Sequence, residues 1–255
     1  MHTVRRLFGG AIALIGLLHV IFGETPTRLF PVWPEWLPGR PWWAHAAGAA
    51  LLVCGARLVR LKADRAAAVC IAVVVTVSVL ALHLPRAIPS GVLGNAWLSV
   101  FKFSALAAGA ALVASTMPNE PPRPRMDRAV AWGAMATPWL MALFMVYGGY
   151  LHFRYTANVT RLMPPWMPAQ MFWVRFAGVA LVAGGAGLLV RPVARAAALG
   201  TAAMLVGFFF LVHIPRTLAE PLGSTGWLEL GEVTAYTMIA LLLAQKQRAT
   251  RPSAP

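Results

Sequence analysis

The chain carries the tetrapeptide His83-Leu-Pro-Arg86 and, 130 residues later, His213-Ile-Pro-Arg216. His19 and His152 each stand near the end of an apolar run. Two opposite charges, Lys102 and Glu232, each follow a tryptophan (Trp97, Trp227) by five residues. Histidine and glutamate can hold and pass a proton, and arginine and lysine can hold an anion or polarise a carbonyl. Cys54 and Cys70 form no CxxC or metal spacing and read as small apolar fillers. There is no Gly-rich phosphate loop, no HExxH and no nucleophile elbow. ATP-driven transport and soluble-type hydrolysis therefore have no support, no metal site is expected, and no catalytic group is assigned.

Those residues sit in a chain of 255 residues that is 59% hydrophobic and 12% charged, with mean hydropathy +0.67. Soluble domains carry about 25% charged residues. The composition excludes a soluble enzyme, a disordered tail and a disulfide scaffold, and leaves an integral membrane protein. The expected fold is all-α, a polytopic membrane bundle. A bilayer core of about 30 Å takes about 20 apolar residues per helix. The runs predict eight membrane helices at 7–22, 42–59, 66–84, 95–115, 130–151, 171–190, 194–212 and 227–244, with no period-two alternation. The first follows Arg5 and Arg6 like a signal peptide, but lacks a small-x-small cleavage pattern and has a mid-chain counterpart. It is read as a helix.

The net charge of +14 comes from short basic blocks between apolar runs, a pattern that sets membrane topology and not nucleic-acid binding. One set of loops holds Arg5, Arg6, Arg57, Arg60, Lys62, Arg65, Arg123, Arg125, Arg128, Arg191, Arg195, Lys246, Arg248 and Arg251. The other holds Arg28, Arg40, Arg86, Arg154, Arg161, Arg175 and Arg216. The richer side should be cytoplasmic, with both termini, in a bacterial-type inner membrane.

The two His-x-Pro-Arg motifs belong to a longer self-similarity. Trp43 maps to Trp173, Gly48 to Gly178, Arg65 to Arg195, Trp97 to Trp227 and Lys102 to Glu232, without a gap. Upstream, Pro34-Glu-Trp36-Leu-Pro38 matches Pro164-Pro-Trp166-Met-Pro168. Three extra residues in the first loop then align Thr27-Arg28-Leu29 with Thr160-Arg161-Leu162 and His19 with His152. The expected organisation is two four-helix repeats, 1–116 and 129–246, with a cytoplasmic linker at 117–128 and a tail at 247–255. An even helix number makes the repeats parallel, with a pseudo-twofold axis along the membrane normal.

In that topology His19, His83, His152 and His213 all lie at outer helix ends. Pro85 and Pro215 should end or kink their helices, with Arg86 and Arg216 donating to freed carbonyls. Two readings of His-x-Pro-Arg are open, a structural helix end and a ligand site. Lys102 and Glu232 lie about 7.5 Å deeper than their tryptophans at about 1.5 Å per residue. Charges at such depth face a protein interior or a wet cavity. They are expected to pair across the pseudo-twofold axis, as a helix fastener or as part of a functional cavity. All four tyrosines (Tyr147, Tyr150, Tyr155, Tyr236) fall in the second repeat. If one repeat keeps a pocket, it is the second: His152, His213, Arg216, Glu232 and Tyr236, with His19, His83, Arg86 and Lys102 as first-repeat equivalents. The histidines are also of a type that ligates haem, though spacing shows no pair facing one plane and haem is not expected.

Gly16-x-x-His19 and Gly149-x-x-His152, the Pro-x-Trp-x-Pro loops, Trp then Gly early in the next helix, and a third helix rich in small residues together resemble the DoxX-like membrane family. Each half matches one four-helix unit. Many members carry a glutamate one turn after the second-helix glycine; Leu51 and Leu181 stand there. The resemblance implies a membrane component of a redox or quinone-linked system, with a redox partner protein. The site residues would then bind a small apolar molecule, a quinone for example, at an outer-facing pocket. A transporter or channel and a non-catalytic assembly factor are the alternatives.

Overall fold

The computed structural model describes residues 1–23, 29–31, 33–60, 64–118 and 121–249, excluding the side chains at 41, 248 and 249. Arg28, Lys62, Glu120, Arg251 and the Thr27-Arg28 part of the repeat lie outside the described residues, as does the Arg248 side chain. All eight expected helices form: α1 (His2–Phe22), α2 (Arg40–Arg60), α3 (Arg65–Ser90), α4 (Trp97–Ser115), α5 (Pro124–Arg154), α6 (Gln170–Leu189), α7 (Ala194–Ala219) and α8 (Ser224–Ala249). Each is long and apolar enough to cross a membrane. No strand occurs among the described residues.

Three boundaries differ from expectation for identifiable reasons. Pro124 starts α5 and does not belong to a loop, because proline in a helix's first turn lacks only an N–H that would have no partner anyway. The linker therefore gives up its last five residues to α5. Pro85 and Pro215 do not end their helices. A π-helical turn at Val79–His83, and another at Phe209–His213, precedes each proline. The Leu84 N–H reaches Val79 O, and the Ile214 N–H reaches Phe209 O. The wider turn accommodates the ring and the missing donor, so α3 and α7 continue outward.

The helices pack in chain order around a ring that closes where α8 meets α1, and α4 and α8 also touch each other. The first helix of each half thus packs on the last helix of the other: α1 on α8, and α5 on α4. The central position shows in burial, with 83% of the α8 span inside the molecule against 17% of α7. Glycines set the closest approaches. A Cβ on Gly16 would come within 2.6 Å of Gly48 O, and one on Gly149 within 2.7 Å of Gly178 O, so α1–α2 and α5–α6 meet backbone to backbone.

One end of the bundle is tied by charge. Asp64 caps α3 through Ala67 N at 2.9 Å and also takes Arg57. Arg65 meets Asp127 in the first turn of α5 at 2.8 Å, and Arg5 donates to Thr116 O at 3.3 Å. At the other end Trp97 Nε1 donates to Gly91 O and Trp227 Nε1 to Pro221 O, both at 2.9 Å.

Candidate functional site

A cavity of about 560 Å³ opens among α4, α5, α6, α7 and α8. Its walls are mostly apolar, with Leu98, Met141, Phe144, Met145, Leu181 and Phe208 among them. Its polar lining includes Lys102, His152, His213, Glu229, Glu232 and Tyr236. Four of the five second-half residues singled out from sequence therefore share one space.

The floor is an ion pair. Lys102 Nζ on α4 lies 3.0 Å from Glu232 Oε1 and 2.9 Å from Oε2 on α8, as the equivalence of the two positions predicted. One turn on, Tyr236 donates to Lys102 O at 2.7 Å and packs its ring against Phe144. Both charges are largely screened from solvent, so each satisfies the other in a medium where a lone ion is costly.

Toward the Trp227 end of α8, Glu229 holds a second cluster. Its Oε2 takes Arg216 Nη1 at 2.6 Å and His213 Nδ1 at 3.1 Å. Arg216 acts one step removed from the cavity, fixing the Glu229 carboxylate on its wall. Arg86 makes a different bond, donating to Leu82 O at 3.2 Å. Glu229 was missed in the sequence. Its repeat equivalent is the uncharged Ser99, so no matched pair drew attention to it. The usable signal is its spacing: three residues before Glu232, it lies on the same helix face.

On α5, His152 Nδ1 lies 2.8 Å from Gly148 O. His19 repeats that bond to Ile15 O at the same distance, but its ring is fully buried. Of the first-half equivalents Lys102 lines this cavity, and His19, His83 and Arg86 do not. His83 Nε2 donates to Leu29 O at 3.0 Å, and its ring lies 4.7 Å from Phe103. Phe30 meets His19 edge-on at 4.8 Å. Among the described residues no group of three or more His, Cys, Asp or Glu could hold a metal ion.

Residues 140–244 match the model of a domain of unknown function (DUF8561). The matched stretch contains most of the cavity lining and all five predicted second-half site residues. No curated protein and no solved structure matches the chain.

Proposed function

We propose that this chain is an integral membrane protein of two parallel DoxX-like four-helix repeats. The second repeat, with the last helix of the first, binds a small apolar molecule with a polar head. The basic blocks support cytoplasmic termini in a bacterial-type inner membrane, which turns the His213 end of the cavity toward the outer face. Large apolar side chains on the outside of the bundle support the bilayer setting; Trp42, Trp132, Trp139, Leu80 and Phe210 are all at least 59% exposed. The duplication is supported by features that recur at the repeat offset: the π turns before Pro85 and Pro215, the Trp97 and Trp227 bonds, and the His19 and His152 bonds.

The observation that carries the ligand reading is the cavity itself. Its volume is in the range of small-molecule sites, about 300–1,000 Å³, and a few polar groups converge in apolar walls. A membrane component of a redox or quinone-linked system would use such a site to hold the ring, with an adjacent partner protein exchanging electrons.

Mass spectrometry of small molecules co-purifying with the chain in mild detergent tests this. A molecule retained by the wild type should be lost from Gly148→Ile, which fills the cavity from α5. A Cβ there meets only Leu98 and Leu181, at 3.9 and 4.0 Å, so the backbone need not move. Retention by the variant, or substrate-dependent uptake into proteoliposomes with nothing retained, would count against the reading.

A further inference from the structure

Which head group the cavity takes follows from the direction of the hydrogen bonds around it. A carbonyl only accepts, so His152 Nδ1 must carry the hydrogen it shares with Gly148 O. The neutral ring then presents a lone pair at Nε2, and the ring lines the cavity. Most hydrogens of the neighbouring groups are directed elsewhere. Tyr236 donates to Lys102 O, and Thr201 points toward Met145 Sδ at 3.8 Å. The Lys102 ammonium donates to both oxygens of Glu232. His213 Nδ1 and Arg216 both donate to Glu229. Among the uncharged groups of the inner wall, His152, Tyr236 and Thr201 therefore offer lone pairs. Asn95 and Asn158, near the outer ends of α4 and α5, carry both donors and acceptors. His19 gives the contrast: the same bond fixes the same tautomer, but its buried Nε2 has no partner among the described residues.

We propose that the second-half cavity binds an apolar molecule headed by a neutral hydroxyl, which donates its hydrogen to Nε2 of His152. This rests on reading the cavity as a ligand site. An ether or ketone of the same shape would bring an acceptor to an acceptor and leave Nε2 unpaired. Sites built around a hydrogen bond discriminate strongly against analogues that cannot make it.

The test is binding of para-nonylphenol and its methyl ether para-nonylanisole to the purified protein in mild detergent, read by tryptophan fluorescence. The two differ by the loss of one donor and the gain of one methyl. The phenol should bind about tenfold tighter or more, a net neutral hydrogen bond being worth about 0.5–1.5 kcal/mol and an unmade one costing more. In His152→Phe that preference should fall to near unity, while Gly148→Ile should weaken both probes. Equal binding of the two probes to the wild type overturns the hydroxyl assignment and leaves the cavity a ligand site. Binding of neither, or binding of both unchanged in Gly148→Ile, overturns the ligand site together with the assignment. A preference that survives in folded His152→Phe overturns the role given to Nε2.

Discussion

The two halves share a pattern of helices and differ in what fills the space beside their histidines. In the first, Phe8, Ile12, Ile15 and Phe103 are all essentially buried, with Leu29 and Phe30 folded in over His19 and His83. At the equivalent places the second has Met141, Met145, Gly148 and Val233, all lining the cavity, while Leu162, the counterpart of Leu29, is 47% exposed. Small and flexible side chains leave room where branched and aromatic ones do not. The difference teaches that one scaffold can serve as a packed support or as a container, decided by a handful of volumes.

The strongest way to break the comparison is through what the halves share. Lys102 and Glu232 belong to one half each, and their pair joins the two central helices. Glu232→Leu leaves Lys102 without that carboxylate and should destabilise the protein by about 3–5 kcal/mol, the usual cost of breaking a buried pair. Adding Lys102→Met should recover most of the loss, because an apolar pair of similar volume needs no desolvation. Equilibrium unfolding in detergent reads both, and a double variant no better than the single would refute the pairing as the cause.

Next is the packing contrast itself. Phe103→Ala should cost about 3–5 kcal/mol, as large-to-small changes do in filled cores. Val233→Ala at the equivalent position borders space that already exists, so its loss should be clearly smaller. Equal losses in the same unfolding measurement would show that the two halves are packed alike.

How far the sequence revealed this arrangement depends on the kind of interaction. The eight helices were legible because each must carry its own apolar run. The Lys102–Glu232 pair was legible because the 130-residue self-similarity of the sequence aligns the two opposite charges. The path of α3 and α7 past Pro85 and Pro215 was not, since a π turn is a backbone adjustment that no residue type announces. Packing of α1 on α8 and α5 on α4 was hidden too, because self-similarity describes each half and not which half a helix contacts. The second half was favoured through its tyrosines, and Tyr155 and Tyr236 do line the cavity. Tyr147 instead donates to Gly94 O at 2.7 Å. The more direct signal was residue volume, Gly148 for Ile15 and Val233 for Phe103, which only a position-by-position comparison of the repeats exposes.

Glu229→Ser sharpens the comparison at the Trp227 end of α8 by giving the second half the residue of the first. Hydrogen bonds to charged groups are worth about 1.5–3 kcal/mol, and two converge on this carboxylate. A loss within that range is expected, accompanied by weaker ligand retention because the wall at His213 loses its anchor. Unchanged retention in a folded variant would detach the outer cluster from the site.

The smallest expected effect concerns His19. Its Nε2 is a buried acceptor with no partner among the described residues, a state that itself costs free energy, while its Nδ1 gains a bond to Ile15 O. His19→Phe removes both, and the new ring can keep the edge contact to Phe30. The gain and the loss are each of order 1 kcal/mol and opposite in sign, so stability should change by less than about 1 kcal/mol. Ligand retention should not change at all, because the space beside this ring is filled. His152→Phe, the same substitution in the other half, should leave a folded protein that no longer prefers a hydroxyl head. If His19→Phe instead costs several kcal/mol or alters retention, the first half holds a working site of its own.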